Sequence, residues 1–450
     1  MPVPAFPLSR RRARQLRLVS LRGQRRAVFV LGGVAVGAAA CGLALAADWA
    51  GRAFAAVLAR APLAALAVTP LAFALSSWLA GRFFPNSGGS GIPQVIAARH
   101  LEGTAPRERL VSVRIALGKM ALLLLGLLCG ASIGREGPTV QVGAAIMFAA
   151  GRLSPRRQPG LILAGASAGV AAAFNTPLAG IVFGIEEMSR SFETRTSGVM
   201  IGAVIAAGLT SLALQGDYTY FGTTHAALSG VEGWAAVPVL GALGGLLGGG
   251  FSRVLILFGA GFPGRLGRAV KARPVPFAAA CGLVVAACGL LSGGAAFGTG
   301  YAQARALVQG GDAGGVPAAF GALKLLATAA SSVSGIPGGI FAPSLAVGAG
   351  LGANVAWLLP GAPAQALVVL GMVAYFAGVV QAPITAFVIV AEMTNDHALI
   401  VPLMLTALIG SAASRLVCPE GVYHALSRNF HGTAAALDGH APAPQRGGPA

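Results

Sequence analysis

The chain has 450 residues, 55% of them hydrophobic and only 10% charged, with a mean hydropathy of +0.75. A soluble domain carries roughly a quarter of its residues charged, so this composition excludes a soluble globular enzyme or binding module and places the chain in a bilayer. The net charge of +18, from 32 basic against 14 acidic residues, would suit a nucleic-acid binder, but its distribution argues for membrane orientation instead.

Residues 10–26 hold eight arginines and no acid directly before the first apolar run. The positive-inside rule reads this as a cytoplasmic N-terminal segment, residues 1–26. The run from Ala27 to Ala47 is long and lacks a clean cleavage context, so it reads as a retained first helix rather than a signal peptide. Further apolar runs lie near 61–80, 110–129, 160–186, 198–214, 235–258, 275–292, 318–332, 364–380 and 399–417. With the first, near 28–47, they predict an all-α polytopic protein of at least ten crossings or half-crossings within residues 27–428. Sixty-six glycines and 27 prolines interrupt the runs. Broken helices are tolerated only inside protein or around a water-filled cavity, where transporters build their sites.

The five cysteines form no CxxC pair and lie mostly in apolar segments, and the histidines show no HExxH spacing, so neither disulfides nor a metalloenzyme gain support. Two passages recur. PTVQVGA at 138–144 matches PSLAVGA at 343–349 at an offset of 205, and PLAGIVFGIEEM at 177–188 matches PITAFVIVAEM at 383–393 at 206. GSGIP at 89–93 pairs more weakly with GTGYA at 298–302. These matches predict a duplication, with halves near 70–215 and 275–418 inverted about an axis in the membrane plane and broken helices meeting at a central site.

Three Gly/Pro-rich stretches, GSGIP at 89–93, GREGP at 134–138 and GIPGGIFAPS at 335–344, read as helix starts flanked by apolar sequence. There the first N–H groups are bare and proline costs no hydrogen bond. Ser90 is placed to cap the helix beginning near Pro93. Each start is a positive dipole end of about half a charge, which binds anions without a lysine. A carboxylate in that setting, Glu136, has the charge of an anion and competes with it for the same place.

The ordered set GSGIP, GREGP and GGIFAP, with FNTPLAGIVFGIEEM, QAPITAFVIVAEMT and the late VYHAL, resembles the CLC family of chloride channels and chloride/proton antiporters from about residue 70 to residue 428. The resemblance implies the CLC inverted-repeat fold and roles for named residues. Ser90 and Tyr423 would contact a central chloride through their hydroxyls, and Ile340 and Phe341 through backbone N–H groups. The backbone at Gly134, Arg135 and Gly137 would form an external chloride site, with Glu136 as the external proton-sensitive gate. Glu187 would be the internal proton acceptor of an antiporter, with Glu186 beside it; the alternative for the two adjacent carboxylates is a helix cap or a solvated cytoplasmic helix end. Glu392 stands at the mirror place in the second half, with a structural role, and Lys119 would supply a buried positive field. Gln94 and Ile96 stand where well-known bacterial relatives have acids, which would alter an intracellular vestibule or a subunit contact.

The function so implied is exchange of chloride for protons in opposite directions, with no cofactor and chloride ions bound as substrate. The alternatives are a passive voltage- or pH-gated chloride channel on the same fold and, from another class, a cation-coupled solute symporter. Acids within the spans are few for the latter, and an enzyme lacks a nucleophile, base or metal cluster. The fluoride-exporting branch lacks the serine and tyrosine found here. The resemblance further implies a homodimer in lipid, joined through helices near 180–210 and 398–418, without nucleic acid. Residues 429–450 read as a short disordered tail, and no CBS domains are expected after it. Arginine outnumbers lysine 29 to 3 amid abundant alanine and glycine, which suggests a GC-rich bacterial genome and the inner membrane.

Overall fold

The computed structural model describes residues 10–153, 155–189, 194–216, 218–262, 264–310 and 316–437. Residues 1–9 of the basic segment and 438–450 of the expected tail lie outside them. The first half contains α1 (Arg10–Arg60), α2 (Ala65–Phe83), α3 (Ile92–His100), α4 (Thr104–Glu108), α5 (Val113–Leu128), α6 (Glu136–Ala150), α7 (Gln158–Phe174), α8 (Pro177–Phe183) and α9 (Thr194–Gln215). The second contains α10 (Gly230–Ala260), α11 (Gly264–Ala272), α12 (Pro274–Leu291), α13 (Tyr301–Gln309), α14 (Phe320–Val333), α15 (Phe341–Ala356), α16 (Ala364–Val380), α17 (Pro383–Thr394) and α18 (Ile400–Val417). α19 (Val422–Leu437) closes the described chain and carries helix past residue 428, where the sequence placed the end of the membrane unit.

Packing follows the duplication. α6 lies on α7 as α15 lies on α16, and α1 lies on α7 and α9 as α10 lies on α16 and α18. The long helices α1 and α10 therefore hold matching places in the packing, ahead of residues 70 and 275. The closest crossings repeat as well. A Cβ on Gly143 would strike the carbonyl of Gly165, and one on Gly348 would strike that of Gly371, so both crossings require glycine. Small residues at such crossings allow the van der Waals packing that drives helix association in lipid.

Among the described residues, seven helices are long and apolar enough to cross a bilayer. The runs at 318–332 and 364–380, expected as spans or partial spans, are helices of 14 and 17 residues, short of the ~20 residues that cross the hydrocarbon core. The expected span at 160–186 is two helices. Asn175 takes a left-handed φ of 56° and Pro177 opens α8; Gln381, φ 57°, and Pro383 repeat the break before α17.

The short helices α8 and α17 cap each other across the halves. Leu178 N–H and Ala179 N–H donate to the Glu392 carboxylate at 3.1 and 2.6 Å. Ile384 N–H and Thr385 N–H donate to that of Glu186 at 3.1 and 2.6 Å. Glu392 is thus the mate of Glu186, not of Glu187, and each carboxylate satisfies N–H groups that a helix start leaves bare. Replacing Glu392 or Glu186 with alanine should each cost about 1–3 kcal/mol of stability, read as a lowered thermal midpoint of the detergent-solubilised protein. Glutamine, which keeps an acceptor, should recover part of the loss.

Candidate functional site

α3, α6 and α15 begin at one point, because their leading loops are joined through backbone. Gly134 N–H donates to Gly339 O and Gly339 N–H to Gly134 O, both at 2.7 Å. Gly89 N–H donates to Ile336 O and Gly338 N–H to Gly89 O, both at 3.1 Å. The buried Lys119 ammonium holds the same Gly89 carbonyl at 2.8 Å, so it is a clamp on the loop. No side chain caps any of the three starts. Ser90 lies one residue before the N-cap Gly91, against expectation, because Gly91 with φ 101° makes the turn into α3.

The hydroxyls left at this junction are unusual for a buried place. Ser90 Oγ and Tyr423 Oη are both buried, and neither has a partner at hydrogen-bond geometry. Buried polar groups are normally satisfied, so two donors beside the bare N–H groups of Ile340 and Phe341 fit a small anion. The Phe341 ring also packs against Phe376, Phe183 and Tyr423, with centroids 4.9, 5.9 and 5.9 Å away, so its backbone and side chain do separate work.

Glu136 is the first residue of α6 and is fully buried. Its carboxylate faces its own N–H and that of Ala342 on α15, with Tyr220 Oη 3.5 Å from Oε1. The carboxylate thus sits between two opposed helix starts. Arg135, the N-cap of α6, turns the other way: it donates to Ala44 O and Asp48 Oδ1 on α1, each at 3.0 Å, and lies 5.9 Å from the Tyr220 ring centroid. Gly134, Arg135 and Gly137 contribute backbone here; a Cβ on Gly137 would strike Ser90 Oγ.

Glu187 lies in a π-helical turn, Gly184–Ser189, that continues α8. Tyr423 is within electrostatic range of both Glu136 and Glu187. Two cavities approach this region. One, of about 530 Å³, reaches Ser90, Ile340 and Tyr423 past Phe84 and Phe258. The other, of about 920 Å³, reaches Glu187 and Glu186 past His100, His424 and Arg428. Gln94 lines the first cavity and clamps its loop, donating to Gly88 O at 2.7 Å and Asn86 O at 3.2 Å. Ile96 is buried at the edge of the second cavity.

Several residues of the site carry no signal in the motifs. Asp48 and Tyr220 reach Arg135 and Glu136 only through tertiary packing. Lys324, fully buried and donating to Ala296 O and Gly298 O at 3.0 and 2.6 Å, repeats Lys119 in the second half, and the 205-residue offset points to it. His424 stands beside Tyr423 in the sequence and over Glu187 in the structure. Among the described residues no group of three or more His, Cys, Asp and Glu is placed to hold a metal.

Inverted halves whose broken helices converge on buried donors define a polytopic membrane protein with a central anion pathway. The model of the voltage gated chloride channel family matches residues 71–415, and the chain belongs to that family, the CLC proteins. The H(+)/Cl(-) exchange transporter ClcA of Yersinia pseudotuberculosis serotype IB is 33% identical over 428 residues, with 84% of this chain and 82% of the relative covered. The transporter of the same name from Vibrio cholerae serotype O1 is 32% identical over 384 residues, covering 81% and 79%. A slow cyanobacterial Cl-/H+ antiporter of known structure superposes with a TM-score of 0.73 at 27% identity, covering 92% of this chain and 99% of that one. A eukaryotic CLC transporter shares the fold at a TM-score of 0.74 and 18% identity, covering 91% and 75%.

The loop junction accepts no side chain at its centre. A Cβ on Gly339 would lie 2.9 Å from Gly137 N and 3.1 Å from Gly134 O, whereas one on Gly42 in α1 would meet nothing within 4 Å. Gly339→Val should abolish monodisperse protein on size exclusion while Gly42→Val leaves it intact; equal behaviour of the two would refute the junction's role.

Proposed function

We propose that this chain exchanges chloride for protons in opposite directions across the membrane. The observation that carries the reading is the placement of Glu136: a buried carboxylate between the starts of α6 and α15, where an anion would otherwise sit. The relatives named H(+)/Cl(-) exchange transporter support it. Chloride is bound by Ser90 and Tyr423 hydroxyls with the N–H groups of Ile340 and Phe341, and at an outer site by backbone at Gly134, Arg135 and Gly137. No cofactor is needed, because the chemistry is ion binding and proton transfer alone.

Ionised, Glu136 fills the helix ends and excludes chloride. Protonated, it loses its attraction to those positive ends, swings away, and an anion takes its place. The proton then passes toward Glu187 and leaves through the second cavity, while chloride uses the first. Mutual exclusion of carboxylate and anion makes the fluxes opposite, and net charge crosses in each cycle, so turnover responds to voltage. The arginines of residues 10–26 orient the N-terminus to the cytoplasm of a bacterial inner membrane. Ile201, Ile205 and Leu209 on α9 and Val401, Leu405 and Leu408 on α18 are exposed apolar faces suited to a homodimer.

Chloride-loaded liposomes test this reading. An outward chloride gradient should drive proton uptake against a proton gradient, and Glu187→Gln should abolish uptake while chloride still moves. Chloride flux without protons in the native protein would make it a channel. Ser90→Ala and Tyr423→Phe should each weaken chloride binding by calorimetry about tenfold or more, the worth of one hydrogen bond to a charged group.

A further inference from the structure

His424 is a charge-bearing group at the inner carboxylate that the exchange reading leaves without a task. It follows Tyr423 on α19, and neighbouring residues of a helix point about 100° apart. Tyr423 therefore faces the anion junction while His424 lines the second cavity. His424 Nε2 lies 2.9 Å from the backbone oxygen of Glu187 and 3.9 Å from its carboxylate Oε1. Both line the second cavity, and with the imidazole 22% exposed and the Glu187 side chain 5%, the ring is the more water-accessible of the two.

The other charged groups around the cavity have structural bonds. Glu186 caps α17 at Ile384 and Thr385. From α3, His100 Nδ1 bonds Ile96 O at 2.8 Å and Arg99 donates to Met188 O. Arg428 and Glu420 form an ion pair at the far edge, and Arg415 lines the wall from α18. The cavity is on the face where α1 starts. Gly32, just inside the apolar part of α1 that begins at Val28, lies against Met147 late in α6, so α7 leaves from the face on which that apolar part begins and α8 turns back toward it with Glu187. By the arginines of residues 10–26, this is the cytoplasmic face.

We propose that His424 is the protonation site through which Glu187 exchanges protons with cytoplasmic water, so that it sets the inner pH dependence of coupled transport. The proposal rests on the antiport reading. In the neutral ring Nε2–H donates to Glu187 O. Nδ1 takes a proton from water, giving an imidazolium. Side-chain rotation closes the gap to Oε1, Nε2 passes its proton to the carboxylate, and a neutral ring protonated at Nδ1 remains. Exchange with water restores the first tautomer, so one proton enters and one leaves. The same steps reversed carry a proton from Glu187 to the cytoplasm.

Planar bilayers with the pH of each side set independently test it, with native protein compared with His424→Asn and His424→Gln, and with Glu187→Gln as reference. Native proton flux should show a step as the cytoplasmic pH alone is varied. Both His424 variants should lose the step and slow proton flux at least about tenfold, as loss of a positioned proton carrier does. Chloride affinity by calorimetry should stay at the native value, which establishes that the variants are folded. A purely structural histidine would lower stability and leave the pH profile in place. Native coupling with an unchanged profile in folded variants overturns the role of His424 alone. Absence of proton movement in the native protein overturns the antiport reading itself.

Discussion

The backbone pairing of Gly134 with Gly339 and of Gly89 with the strand-like stretch at 336–338 is the constraint on which the rest depends. It brings the starts of three helices from distant parts of the chain to one point and leaves no room for side chains between them. Glycine is required because the loops approach at van der Waals distance, and Gly91 also needs a positive φ. The consequence is electrostatic. Helix starts carry partial positive charge in bare N–H groups, so the junction attracts an anion without a cationic side chain, and a carboxylate from its own wall can fill it.

The duplication supplies the scaffold and its breakage supplies function. Glycine crossings at 143 and 165 recur at 348 and 371, the buried lysines 119 and 324 each hold loop carbonyls, and Glu186 and Glu392 cap each other's helices. At the repeat offset, Glu136 corresponds to Phe341, and Glu187 corresponds to Met393. Both carboxylates assigned to protons thus stand where the other half has an apolar residue. Symmetric positions build the frame; asymmetric ones give it a direction.

Much of the site was legible because glycine and proline punctuation at helix starts is a local signal. GSGIP, GREGP and GGIFAP mark their places without reference to the fold, and Ser90, Glu136, Ile340 and Phe341 follow from them. The bonds of Gln94 to Asn86 O and Gly88 O were not legible for the opposite reason: an amide in a motif says nothing about which carbonyls lie across from it. The break within 160–186 was not placed because hydropathy alone does not register the left-handed turn at Asn175. Lys324 was available from the offset that relates it to Lys119, whereas Asp48 and Tyr220 belong to no repeat or motif.

The sequence by itself determined the solvent, through composition; the helix starts, through glycine and proline; and the two halves, through a fixed offset. These are properties of neighbours along the chain. Only the tertiary structure decided that Glu186 rather than Glu187 is the cap, that Arg135 turns to Asp48, that the junction opens to two cavities, and that His424 stands over Glu187. Those facts concern groups that share no local pattern, and they are fixed by which helix faces meet once apolar crossings and backbone hydrogen bonds have been satisfied together.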